Sequence, residues 1–193
     1  MGDFTFFNPN HRYLFSHQKE IVYVDEPNKA DFYLLPGGAD ISPFLYGEPV
    51  DGAVGIDHRR DAEEIALIGE ARSYGIPIVG ICRGAQLLHA MNGGKLIQDI
   101  TGHRGGAHGM LNHNLEEVAR VNSIHHQAIP PDEAIRMYGS ENVFVSEDMK
   151  AVEAFFDWDR MVFGVQYHPE FTGCPKEGIN FFLESLEEIL GGT

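Results

Sequence analysis

The chain has 193 residues, 43% of them hydrophobic and 22% charged, which suits one domain with a sizeable core and argues against extended disorder. Its 14 basic and 29 acidic residues give a formal net charge of −15, a balance that repels phosphate backbones and anionic lipid, so neither nucleic acid nor a membrane is expected as a partner. No basic and apolar leader opens the sequence, no apolar run nears membrane-span length, and two cysteines, Cys82 and Cys174, are too few for a disulfide framework; a reduced, cytoplasmic protein is expected.

In chain order, Phe4 to Phe7, Ile21 to Val24 and Phe32 to Leu35 read as short strands. Asp61 to Tyr74 reads as a helix, with Asp61 as its N-cap or first-turn acid and Ile65, Ile68 and Ala71 on one face; Gly75 stops it. Ile76 to Ile81 is apolar at nearly every position, as a central parallel strand covered on both faces would be. A helix from Ala85 to Met91 ends at Asn92-Gly93-Gly94. Residues 101–120 have no clean period and read as loop, with room for a hairpin. Ala151 to Phe156 and Met161 to Tyr167 are strands, and Lys176 to Leu190 is an amphipathic helix with Ile179, Phe182, Leu183, Leu186, Ile189 and Leu190 at three-four spacing. Strands alternating with helices predict a single α/β domain over 1–193 with a central, mostly parallel sheet.

Gly80-Ile-Cys82-Arg83-Gly84 ends the apolar run and opens a helix. It is the cysteine counterpart of the Gly-x-Ser-x-Gly bend that lifts a nucleophile above a strand end, and a helix N-terminus favours the reactive thiolate. The alternative is a buried cysteine packing as a small hydrophobe. His168-Pro169-Glu170 follows a strand, and extended residues two apart point to one side. Glu170 is thereby placed to hold one imidazole nitrogen of His168 while the other faces Cys82, which is triad logic. Pro36-Gly37-Gly38 ends a strand and offers backbone N–H groups to an oxyanion, with the N–H of Arg83 as second donor; a plain turn is the alternative. His125 and His126 adjoin each other, and His103, His108 and His113 are five apart, so none of these spacings is a metal motif and no metal or cofactor is expected.

Taken together, these segments resemble the class I glutamine amidotransferase-like superfamily. Within it the chain is most similar to the γ-glutamyl-γ-aminobutyrate hydrolase group, through Gly80 to Gln86, Val121-Asn-Ser-Ile-His-His-Gln127 and Gly164 to Glu170. Leu35-Pro-Gly-Gly-Ala-Asp40 with Tyr46-Gly-Glu48, Arg60-Asp61 with Glu64, and Gly93 to Asp99 also fit. The resemblance implies a flavodoxin-like architecture. It implies Cys82 as nucleophile, His168 as base and then acid, Glu170 as its orienter, and Gly38 and Arg83 as oxyanion donors. It further implies Gln86, His126 and Gln127 at a glutamyl-substrate site. The implied reaction is hydrolysis of a γ-glutamyl amide through a thioester. The alternatives are a glutaminase subunit feeding ammonia to a synthase partner and a silent scaffold, and a homo-oligomer fits equally. The chain departs from the resemblance in its shortened N-terminal third, where residues 8–20 are too few and too irregular for the helix expected after the first strand. It departs again between Asp99 and Val121 and after Gln127.

Overall fold

The computed structural model describes residues 4–12, 14–16 and 20–191. The strands are β1 (Phe4–Phe7), β2 (Ile21–Tyr23), β3 (Phe32–Leu35), β4 (Ile78–Ile81), β5 (Ala107–Leu111), β6 (Glu117–Asn122), β7 (Val143–Ser146), β8 (Val152–Asp157) and β9 (Val162–Val165). The helices are α1 (His58–Tyr74), α2 (Arg83–Met91), α3 (Pro131–Tyr138) and α4 (Lys176–Gly191). All nine strands join one sheet in the order β2-β1-β3-β4-β9-β8-β7-β5-β6.

The sheet is mixed, which corrects the expectation of a mostly parallel one. β2, β1, β3, β4 and β9 run parallel, and every pairing from β9 through β8, β7 and β5 to β6 is antiparallel. The reason is connection length. β8 and β9 are joined by residues 158–161 alone, and β7 and β8 by 147–151; a parallel crossover needs about a dozen residues or more. Residues 107–122 form a hairpin, β5 to β6, within the stretch read as loop.

The central strands are covered on both faces. Phe32, Leu34, Val79, Ile81, Phe163 and Val165 face one core, where Phe182, Leu186 and Ile189 of α4 pack against them. Tyr33, Leu35 and Ile78 face the other, against Ile68 and Ala71 of α1 and Leu87 and Leu88 of α2. Each such fully buried Leu, Ile or Phe contributes about 1.5–3 kcal/mol over exposure. The period of two in β3 thus splits its side chains between two layers of helices. Among the described residues, no helix is long and apolar enough to cross a membrane.

Two details of α1 position the site. Its N-cap is Asp57, which accepts from the Arg59 and Arg60 amides at 3.1 and 3.0 Å; its C-cap is Gly75 at φ 65°. The helix therefore begins at His58, and Asp61 is its first-turn acid and not its cap, with the side chain turned inward and buried. Between β1 and β2, the described residues form turns and no helix; Tyr13 and residues 17–19 lie outside the described set.

Candidate active site

Cys82 links β4 directly to α2, and its backbone is strained, with φ 49° and ψ −105°. Close packing of the bend enforces this. A β-carbon on Gly80 would lie 2.5 Å from the Ala85 nitrogen, and one on Gly84 would lie 2.0 Å from the Leu35 carbonyl oxygen. Neither position has room for a side chain, so β3, β4 and α2 converge beneath the thiol. The Cys82 amide donates to the Val165 carbonyl at 2.6 Å, which fixes the bend to β9.

His168 arrives just past β9. Its amide donates to Asn122 Oδ1 at 2.8 Å and its carbonyl accepts from Asn122 Nδ2 at 2.9 Å, so one side chain clamps the peptide on both sides. Phe171 stacks on the imidazole with centroids 4.5 Å apart. The ring shares a hydrogen bond with Cys82, and Nδ1 lies 2.8 Å from Glu170 Oε1. Gly37 makes the approach possible, since a β-carbon there would sit 2.5 Å from His168 Cε1. Burial alone would lower the His168 pKa, but the hydrogen bonds to Cys82 and Glu170 outweigh it and hold it at about 10. The imidazole is therefore protonated at neutral pH. Cys174, by contrast, is pushed up to about 11 by burial.

The loop after β3 is fastened by Arg60. Its Nη2 donates to the carbonyls of Pro36 and Gly37 at 3.0 and 2.8 Å, and its Nε to Glu64 at 2.8 Å. Gly38, at φ 150°, lies so close to Arg60 that a β-carbon would fall 2.0 Å from Nη1. Arg83 heads α2, and its side chain turns away from the thiol into full burial, where it pairs with Asp61 at 2.5 Å and with Glu64. Asp61 also accepts from the Ser42 amide at 3.1 Å. One ion network thus joins α1 to both loops that flank Cys82.

A cleft of about 340 Å³ opens beside the thiol, lined in part by Gly37, Gly38, Cys82, Ile124, His168 and Phe171. That is the scale of a small-molecule site. Of the residues implied as substrate contacts, Gln86 is buried, and its Nε2 donates to the Gln127 carbonyl at 3.1 Å and to Gln166 Oε1 at 3.0 Å. His126 bridges Asp40, at 3.0 Å, and Asp99, at 3.4 Å. Gln127 is buried with its side-chain amide lacking a hydrogen-bond partner among the described residues. None of these three lines the cleft. Sequence reasoning passed over Gln166, whose Nε2 reaches Cys82 Sγ at 3.3 Å, and Asn122. Both lie inside the quoted motifs, and Gln166 stands two residues before His168.

A cysteine on a strand-to-helix bend, with a His-x-Glu segment just past the neighbouring strand, defines a class I glutamine amidotransferase-like protein. The peptidase C26 family model matches residues 14–114. The glutamine amidotransferase-like protein YvdE of Lactococcus lactis is 31% identical, over 92% of this chain and 83% of its own. Protein NtpR of Enterococcus hirae is 33% identical, over 86% and 77%. Among solved structures, a glutamine amidotransferase from Thermotoga maritima shares the fold, with a TM-score of 0.56 at 17% identity over 97% of this chain and 84% of that one. The chain belongs to the peptidase C26 family, and that membership makes it a glutamine amidotransferase-like hydrolase.

Proposed function

We propose that the protein hydrolyses a γ-glutamyl amide bond through a thioester on Cys82, releasing glutamate and an amine or ammonia. The observation that carries this reading is the His168 imidazole, hydrogen-bonded to Cys82 on one side and to Glu170 on the other, at the wall of a cleft. The Cys82 sulfur attacks the amide carbon, and the oxygen takes up the negative charge beside the backbone N–H groups of Gly38 and Arg83. The C–N bond breaks as His168 gives its proton to the leaving nitrogen. Water then adds to the thioester, His168 takes its proton, and the C–S bond breaks to free glutamate and restore the thiolate–imidazolium pair. Glu170 orients the ring and stabilises its charge.

The Asn122 clamp and the His125-His126-Gln127 run, buried at its two ends, belong to the segment most similar to the free-standing γ-glutamyl-γ-aminobutyrate hydrolases, so the substrate is taken to be a γ-glutamyl amine. Purified protein alone should therefore release glutamate from at least one γ-glutamyl amine with a higher kcat/KM than from glutamine. Glutaminase subunits instead depend on a partner to complete closure. Negligible turnover of every amine, with glutamine hydrolysis rising steeply when cell extract is added, would replace this reading with that of an ammonia-supplying subunit.

The raised His168 pKa predicts the pH profile. Protonation is needed when the amine leaves, so kcat/KM stays high as pH rises and falls near pH 10. Glu170→Gln removes a carboxylate that favours the imidazolium, so the alkaline limb should move to lower pH. Its loss of rate should be smaller than that of His168→Ala. An alkaline limb unmoved in Glu170→Gln would exclude the Glu170–His168 contact as the cause.

A further inference from the structure

Behind the wall that carries His126, four titratable side chains converge on a point the mechanism does not use. Glu153 of β8 is wholly buried, and three imidazoles face its carboxylate. His108 Nε2 is 2.9 Å from Glu153 Oε1, His125 Nε2 is 3.8 Å away and His103 Nδ1 is 3.9 Å away. The other Glu153 oxygen and His125 Nε2 have no hydrogen-bond partner among the described residues.

The outer nitrogens fix what the inner ones present. His125 Nδ1 lies 2.8 Å from the Gln127 carbonyl, which accepts a proton and cannot give one. His103 Nε2 lies 3.3 Å from Asp148 Oδ2, a carboxylate that is itself held by Ser146 Oγ at 2.7 Å. Ser123 Oγ, 3.4 Å from His103 Nδ1, already donates to the His103 carbonyl at 2.9 Å. With their outer nitrogens turned to acceptors, His125 and His103 point their inner nitrogens toward the Glu153 carboxylate. An imidazole whose far N–H is held by a carbonyl or a carboxylate is the outer-shell pattern of metal-bound histidine. The spacing agrees as well. Ligand atoms bound at about 2.0–2.1 Å in a tetrahedron stand about 3.3 Å apart, within the 2.9–3.9 Å found around Glu153 Oε1.

We propose that His103, His108 and Glu153, whose ligand atoms lie within 4.8 Å of one another, hold a zinc-like divalent cation, with His125 beside them. Two imidazoles and one carboxylate suit zinc by donor type, and water would complete the four positions of such a site. The absence of a metal motif in the sequence is no obstacle, because the ligands come from one loop and two strands that meet only in the fold. His113, the third of the evenly spaced histidines, is exposed and takes no part. A bound ion would tie the loop of His103, already joined to the next by the His125 amide on the His103 carbonyl at 2.9 Å, to the sheet through β5 and β8. It would thereby stiffen the wall from which His126 reaches Asp40 and Asp99.

Cobalt(II) gives a readout independent of activity. The full-length protein, stripped with chelator and dialysed, should take up about one equivalent of Co²⁺ with the strong visible absorption of four-coordinate sites, and Zn²⁺ should displace it and raise the Tm. His108→Ala, at a half-buried position, should keep the native circular dichroism and lose the absorption; His113→Ala should keep both. Should His108→Ala unfold, His103→Asn serves the same purpose with a smaller change in volume. Folded wild-type protein that shows no such absorption, or absorption that survives in a folded His108→Ala or His103→Asn variant, would overturn the site.

Discussion

Cys82→Ala should lower kcat by about 10⁴-fold or more while leaving the protein folded. Both halves of this expectation come from the bend. In the proposed reaction the Cys82 thiol forms the thioester, and a water molecule in its place would gain little from an oxyanion site built around sulfur. Folding should be nearly unaffected, because alanine keeps the β-carbon and gives up one sulfur contact with Gln166 and the hydrogen bond with His168. The strain at φ 49° is the same for both residues, so the change in stability should stay near or below about 1 kcal/mol. Cys174→Ala should leave turnover near wild type, since that thiol is buried and its pKa is raised to about 11. A diazo-ketone glutamine analogue should likewise label Cys82 and spare Cys174, as peptide mapping would show. A Cys82→Ala enzyme within tenfold of wild type, or labelling confined to Cys174, would remove Cys82 from the mechanism.

What could be read from the chain divides by range. The bend at Cys82 was legible because its parts are contiguous: an apolar run, two glycines four apart, and a helix. The pairing of His168 with Glu170 was legible from their two-residue spacing, although the structure makes it through a turn closed by the Phe171 amide on the His168 carbonyl at 3.3 Å and not along an extended segment. The antiparallel half of the sheet was also present in the sequence but was outweighed by the alternation of strands and helices. Ala151 to Phe156 and Met161 to Tyr167 leave only four residues between them, too few for a crossover. β7 and α3 went unread for other reasons: Val143–Ser146 is four residues long, and α3 starts on Pro130-Pro131, a signal that marks a helix start only when a helix is already suspected. Asp61 looked like a cap because the rule for caps is local, whereas its partner, Arg83, is twenty-two residues away. Glu153 and the three histidines that face it run from position 103 to position 153, and sheet register and loop packing alone bring them together.

Arg83→Met should destabilise the protein by about 3–5 kcal/mol, the second large effect expected here. Its side chain is fully buried between Asp61 and Glu64, which are themselves almost wholly buried. Methionine fills much of the volume but leaves two carboxylates in a dry interior. Asp61 would keep the Ser42 amide and Glu64 would keep Arg60, and neither replaces the forked guanidinium. At about 2–4 °C per kcal/mol for a chain of this size, the Tm should fall by about 6–20 °C. Arg83→Lys should rescue little, because a point charge does not match two carboxylates held in a fork. The diagnostic variant is the triple change Arg83→Met, Asp61→Asn, Glu64→Gln. With the charges gone, much of the lost stability should return, although the Arg60 clamp on the Pro36 and Gly37 carbonyls loses its ionic partner and kcat should remain depressed. Stability recovered without activity would separate the two duties of the network, which are to neutralise charge in the core and to hold the loop after β3 against the cysteine bend. A loss below about 1 kcal/mol in Arg83→Met would mean that the buried pairs contribute nothing net to the fold, and the link from α1 to the site would have to be sought in packing instead.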